Sequence, residues 1–336
     1  MPSPVRSFQG RALAPATVRV PGATITPASI DPAAATFVGA VYGAEGGLVP
    51  ASLRPAWLGH FRPVDPLSID RAAPAAAHHA EAIFAGHVFH DWGHFLFETL
   101  STAWAGPTLP DCPVLFAPFA RPAGAGTIRQ RLLTWAGLLD AAGWGTRPLL
   151  ALGDTTRVDV LHVPERLSVF GAPFRQPAMH PVLREVYARI VARFGEAGPR
   201  VPMVARRPAG HGRLHPQEER FYAVMAEHGF RIVDGAALAP EAQVALFSRA
   251  SVLAGFSGSN LHNSVFAPPG TPVLEITDSR SHGRPERRNR TQLAICDLLE
   301  QPYRILDGFG GAPPGEPIAA EALVAAARDA AQPASF

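Results

Sequence analysis

The feature that most constrains the fold is a regular alternation that begins at Val201. Four short apolar runs, VPMVARR (201–207), FRIVDG (230–235), SVLAGF (251–256) and PVLEITD (272–278), read as strands. Between them PQEERFYAVMAEHG (216–229) and APEAQVALFSRA (239–250) carry apolar residues at helical spacing, and SGSNLHNSVFAPPG (257–270) is a short helix stopped by proline and glycine. Pro216 suits a first helical turn, where its missing N–H costs nothing. Strands and helices in this rhythm form βαβ units around a parallel sheet, so the fold class expected is α/β.

Upstream the pattern is looser. Residues 1–80 are rich in proline and alanine and read as a partly irregular lead-in with edge strands such as TFVGAVYG (36–43). EAIFAGHVF (81–89) is strand-like, and DWGHFLFETLSTAW (91–104) changes to helical spacing. CPVLFAPF (112–119) reads as a buried strand, GTIRQRLLTWAGLLDAAG (126–143) as a helix, RVDVLHVPE (157–165) as a strand and PVLREVYARIVARFGEAG (181–198) as a long helix. The Gly- and Pro-containing end of that helix marks a boundary between domains of residues 1–190 and 191–336.

Composition narrows the function. All 30 basic residues are arginine, so Schiff-base, pyridoxal-phosphate and Walker-A lysine chemistry is excluded. Arginine must meet any anion, and its planar fork suits phosphate. A net charge of +2 argues against general nucleic-acid binding. Two cysteines, Cys112 and Cys296, rule out a disulfide framework or a cysteine zinc site. No run of 18 apolar residues and no apolar leader is present, so a cytoplasmic protein is expected.

In SVLAGFSGSNLHN a strand ends at Gly255 and small residues lead into a helix. Backbone N–H groups there would meet a phosphate or carboxylate at the carboxyl end of a parallel strand, with an ordinary βα turn as the plain alternative. The same stretch approaches G-x-S-x-G with Ser257 as nucleophile. It fails at Ser259, and His262 and His282, with Asp278, are badly spaced for a triad. Arg206 and Arg207 end the first of these strands and Arg213 follows a glycine loop; beside the turn they would stabilise a diphosphate, unless they only make salt bridges. Glu275 could accept ribose hydroxyls or pair with a cation.

GHVFHDWGHFLFETLSTAW (86–104) places His90, His94 and Glu98 at i, i+4, i+8 on one helical stripe. The ends of such a stripe lie roughly 12 Å apart by helix rise, too far for one metal ion. His94 and Glu98 remain as neighbours among Trp92, Phe95, Leu96 and Phe97. In apolar surroundings a carboxylate becomes a usable base, and the pair could equally be a satisfied core hydrogen bond. His87 and His90 have no assigned role.

GHFLFETLSTAW resembles the N-terminal signature of glycosyltransferase family 61. MVARRPAGHGRL and the stretch from HGFRIVDG to PVLEI resemble its C-terminal half in order and spacing, over roughly residues 80 to 280. The resemblance implies a GT-B-like architecture of two Rossmann-like domains with parallel sheets facing across a cleft. The N-terminal domain would serve the acceptor and the C-terminal one the nucleotide sugar. It also implies inverting, metal-independent transfer without a cofactor, from a donor for which a UDP link is favoured, to a glycan in surface polysaccharide assembly. Glu98, or else Asp91, would be the base, with His94 orienting Glu98. Arg206, Arg207, Arg213, Ser257, Gly258, Ser259, Asn260, Asn263 and Glu275 would hold the donor. The family turn reads GxHGAxLxN. Here Ser257 stands at its histidine, Ser259 at its next small residue and Asn260 replaces a small residue, while Asn263 fits its last asparagine; Pro216 stands where an asparagine is usual.

A non-catalytic nucleotide-sugar or glycan-binding relative is the alternative these departures suggest, and a metallohydrolase using His90 or His94 a third. SRSHGRPERRNR (279–290), with Arg280, Arg284, Arg287, Arg288 and Arg290, reads as a solvated loop that could contact an anionic acceptor or the inner face of a membrane.

Overall fold

The computed structural model describes residues 14–26, 29–31, 36–52, 75–89, 91–119, 125–169, 178–208, 217–277, 290–308, 321, 322, 324, 325 and 329. The chain divides into two compact units, Met1–Arg189 and Ile190–Phe336.

Among the described residues, the main sheet of the first unit has six strands, β1 (Thr17–Ile25), β2 (Val41–Tyr42), β3 (Ala77–Phe89), β4 (Val114–Phe119), β5 (Leu149–Ala151) and β6 (Thr156–Pro164), in the order β2-β1-β6-β3-β4-β5, and two short antiparallel pairs, Ser29–Asp31 with Thr36–Val38 and Ser168–Val169 with Ala178–Met179, stand apart from it. Strands β6, β3, β4 and β5 run parallel. Strand β1 is antiparallel to both β6 and β2, so this sheet is mixed, where a parallel one was expected. A strand from the N-terminal lead-in pairs directly with β6 and needs no crossover helix. It is also an inner strand at one end, because only Thr24 and Ile25 pair with β2. Pro21 sits on the unpaired half, where a missing N–H is tolerated. Val20, Ile25, Phe84, Leu115 and Leu161 fill the core of this unit.

Helix α1 (Trp92–Phe97) follows β3, and at Glu98 it gives way to a 3-10 helix, Thr99–Thr108. One helix was expected across 91–104. Thr99 and Thr102 instead donate their hydroxyls to the carbonyls of His87 (3.1 Å) and Ala85 (2.8 Å) on β3. Hydroxyls that bond backbone outside the helix draw the chain against the strand and favour the tighter coil. The single helix expected over 126–143 is broken into α2 (Ala125–Thr134), α3 (Ala136–Leu139) and a π-helical segment Asp140–Trp144 interrupted at Gly143, while α4 (Leu183–Phe194) follows its expected pattern with shorter bounds.

The second unit contains β7 (Val201–Arg206), α5 (Glu218–Glu227), β8 (Arg231–Asp234), α6 (Pro240–Phe247), β9 (Ala250–Phe256), a 3-10 helix Leu261–Phe266, β10 (Val273–Ile276), α7 (Arg290–Leu299) and β11 (Tyr303–Leu306). All five strands are parallel, in the order β8-β7-β9-β10-β11. The chain leaves β7 towards one edge and β9 towards the other, so the carboxyl ends of these neighbours form a topological switch point, the usual ligand crevice of an open α/β sheet. Phe221, Met225, Val252, Phe256 and Ile276 build the core here. Among the described residues no helix is long and apolar enough to cross a membrane.

Candidate active site

Within 86–104, His94 meets one buried carboxylate, that of Glu98. Glu98 caps α1, its N–H bonded to the His94 carbonyl at 2.7 Å. One helical turn back, the His94 ring places Nδ1 2.5 Å from Oε1 of Glu98. A carboxylate only accepts, so Nδ1 carries the proton and Nε2 of a neutral ring is left as the basic atom. The two differ in access: the His94 side chain is 32% exposed and that of Glu98 only 3%. The Phe89 ring stacks on His94 at 5.0 Å between centroids and fixes its plane.

A residue that sequence reasoning missed completes the group. Arg166, buried just beyond the end of β6, holds Nη1 3.6 Å from Oε2 of Glu98. Its Nη2 donates to Nδ1 of His87 at 3.1 Å. Its only sequence signal is an arginine directly after the strand-like VLHVPE. Asp91 is exposed at the start of α1, and its side chain does not cap the helix. His90 lies outside the described residues.

In the second unit, consecutive arginines at the end of β7 part company, as strand alternation requires. Arg207 is buried, donating through Nε (3.0 Å) and Nη2 to the Glu218 carboxylate on α5. Its guanidinium lies over the Phe256 ring at 5.1 Å. Arg206 is 34% exposed; its Nη2 donates to both carboxylate oxygens of Glu219 at 2.8 and 2.9 Å. Arg213 lies outside the described residues, as do Arg280, Arg284, Arg287 and Arg288.

The turn after β9 crosses the switch point. Asn260 Nδ2 donates to the Ala205 carbonyl on β7 at 2.7 Å, and Asn263 Nδ2 donates to the Asn260 carbonyl at 3.0 Å. Gly255 is needed beneath this turn, because a Cβ there would stand 2.8 Å from the Ala205 oxygen. Ser259 is exposed and Gly258 partly so. Ser257 is buried and donates its hydroxyl to Oε1 of Glu275, while Tyr303 donates to Oε2 at 2.5 Å. Glu275 is thus held inside the sheet by hydroxyls from two flanking segments. The helix expected after the turn is a six-residue 3-10 segment, so its dipole adds little.

Among the described residues no three His, Cys, Asp or Glu side chains are grouped to hold a metal ion. No curated protein matches the chain. The model of the family described as glycosyltransferase 61 matches residues 92–274, more than half of the 336 residues. That stretch contains the His94–Glu98 pair, Arg166, both arginines of β7 and the turn across the switch point. With that match over that stretch, the chain belongs to the glycosyltransferase 61 family and is a glycosyltransferase.

Proposed function

We propose that the protein is an inverting, metal-independent glycosyltransferase of GT-B type, in which His94 is the general base and Glu98 its orienting partner. The observation that carries this reading is the contrast in access between the two. A base must come within hydrogen-bond reach of the proton it removes. Glu98 is buried with Oε1 engaged by His94, whereas His94 is partly exposed and has Nε2 turned away from the carboxylate. Transfer is then one displacement. His94 Nε2 takes the acceptor hydroxyl proton, the acceptor oxygen attacks the anomeric carbon, and the bond to the diphosphate breaks with its electron pair leaving on phosphate. The charge that forms on the imidazole is balanced by Glu98, and the proton passes later to solvent.

The donor is a nucleotide sugar, with a UDP link favoured, bound at the switch point of the second unit. Arg206 and the turn Ser257–Asn260 meet the leaving diphosphate, with Arg206 exchanging Glu219 for phosphate. The acceptor is a glycan hydroxyl in surface polysaccharide assembly on the cytoplasmic side.

A calorimetric screen of nucleotides and nucleotide sugars, followed by NMR of the product anomer, tests the proposal. Uridine nucleotides are expected to bind, and the product to have the opposite anomeric configuration from the donor. Absence of nucleotide binding, or a retained configuration, would sink it.

A further inference from the structure

We propose that Arg166 is a positioning residue for this reaction: it anchors Oε2 of Glu98 so that Oε1 stays on His94. The inference rests on the His94–Glu98 reading and extends it to a third residue. The carboxylate lies between two groups, His94 Nδ1 at 2.5 Å and Arg166 Nη1 at 3.6 Å. Arg166 is itself fixed. Arginine has no acceptor atom, so in the contact with His87 the ring nitrogen Nδ1 must accept. His87 is therefore neutral, with its proton on Nε2, and it aims the guanidinium as Glu98 aims the imidazole.

The backbone is shaped for this approach. A Cβ at residue 86 would stand 3.0 Å from Nη2 of Arg166, and Gly86 has φ of +85°, which side-chain-bearing residues rarely adopt. A glycine on β3, a buried histidine beside it and an arginine beyond β6 thus serve one carboxylate. Arg166 touches neither proposed reacting atom and acts through Glu98.

The test is an NMR titration of the histidine rings in the full-length protein between about pH 5 and pH 9, with His94 assigned from H94Q. In R166M the carboxylate loses its anchor, so E98Q should shift the His94 midpoint less in the R166M background than in wild type. In E98Q the midpoint should fall. R166K keeps the charge and should leave the midpoint near wild type, with at least partial rescue of any sugar-transfer loss seen in R166M. If E98Q does not move the midpoint, the dyad reading fails and the proposal falls with it. If E98Q moves it equally in wild type and in a folded R166M, the proposal alone is overturned. Should R166M not fold, R166Q decides by the same comparison: a reduced E98Q shift supports the proposal, and an undiminished one overturns it.

Discussion

Arg207 and Glu218 form an ion pair almost wholly removed from solvent, each side chain 2% exposed. The Tyr222 hydroxyl also donates to Glu218, and burial together with that carboxylate pushes the phenol well above its ordinary range. The pair spends two nitrogens of Arg207 on joining β7 to α5. Removing one partner strands a buried charge, so E218A should lose about 3–5 kcal/mol of stability in urea unfolding. A loss below about 1 kcal/mol would show that the pair behaves as an exposed one.

The role of His94 as base predicts that H94A lowers transfer by about a hundredfold to ten-thousandfold. E98Q should lose less, because its amide oxygen can still accept from Nδ1. Initial rates with a saturating donor would check this. Near-normal transfer in H94A with none in E98A would return the base role to Glu98.

Gly255 faces the Ala205 carbonyl, which belongs to backbone and cannot swing aside. G255A should therefore push β9 from β7 at the switch point and cost about 1–3 kcal/mol. Thermal unfolding would show it, and an unchanged midpoint would mean the strands separate freely.

Both thiols should resist alkylation in the native protein at pH 8. Burial, aided by the charge of Glu81, pushes Cys112 up to about 11. Burial pushes Cys296 up to about 12, against a hydrogen bond from Gln292. Neutral thiols are poor nucleophiles, so two equivalents of reagent should react only after denaturation. The folded state holds these protons more tightly than the unfolded one. Their contribution is present below the ordinary value of 9.0 and is lost as pH rises towards about 11 and 12. Rapid native labelling at pH 8 would contradict this.

How much of this was legible depended on distance along the chain. His94 and Glu98 are one helical turn apart, so their meeting follows from spacing alone. The parallel strands β7, β9 and β10 could be read because strands buried on both faces are continuous apolar runs. Strand β1 was hidden by Pro21 and Gly22, which normally argue against a strand. Helix α7 and strand β11 follow the arginine-rich stretch and went unread. Arg166 meets His87 across 79 residues, a contact that only the pairing of β3 with β6 creates. The two arginines of β7 looked equivalent as a motif, and alternation sent one inward.

The change of coil at Glu98 makes the length of this stretch as binding as its composition. Residues 92–97 wind at one pitch and 99–108 at a tighter one, stitched to β3 through Thr99 and Thr102. In a 3-10 coil each added or deleted residue turns everything beyond it by about 120°. One codon gained or lost between Thr99 and Thr102 would swing the Thr102 hydroxyl off its carbonyl. Length is thus fixed here as firmly as Gly106 is, where a Cβ would stand 2.0 Å from the backbone oxygen of Gly143.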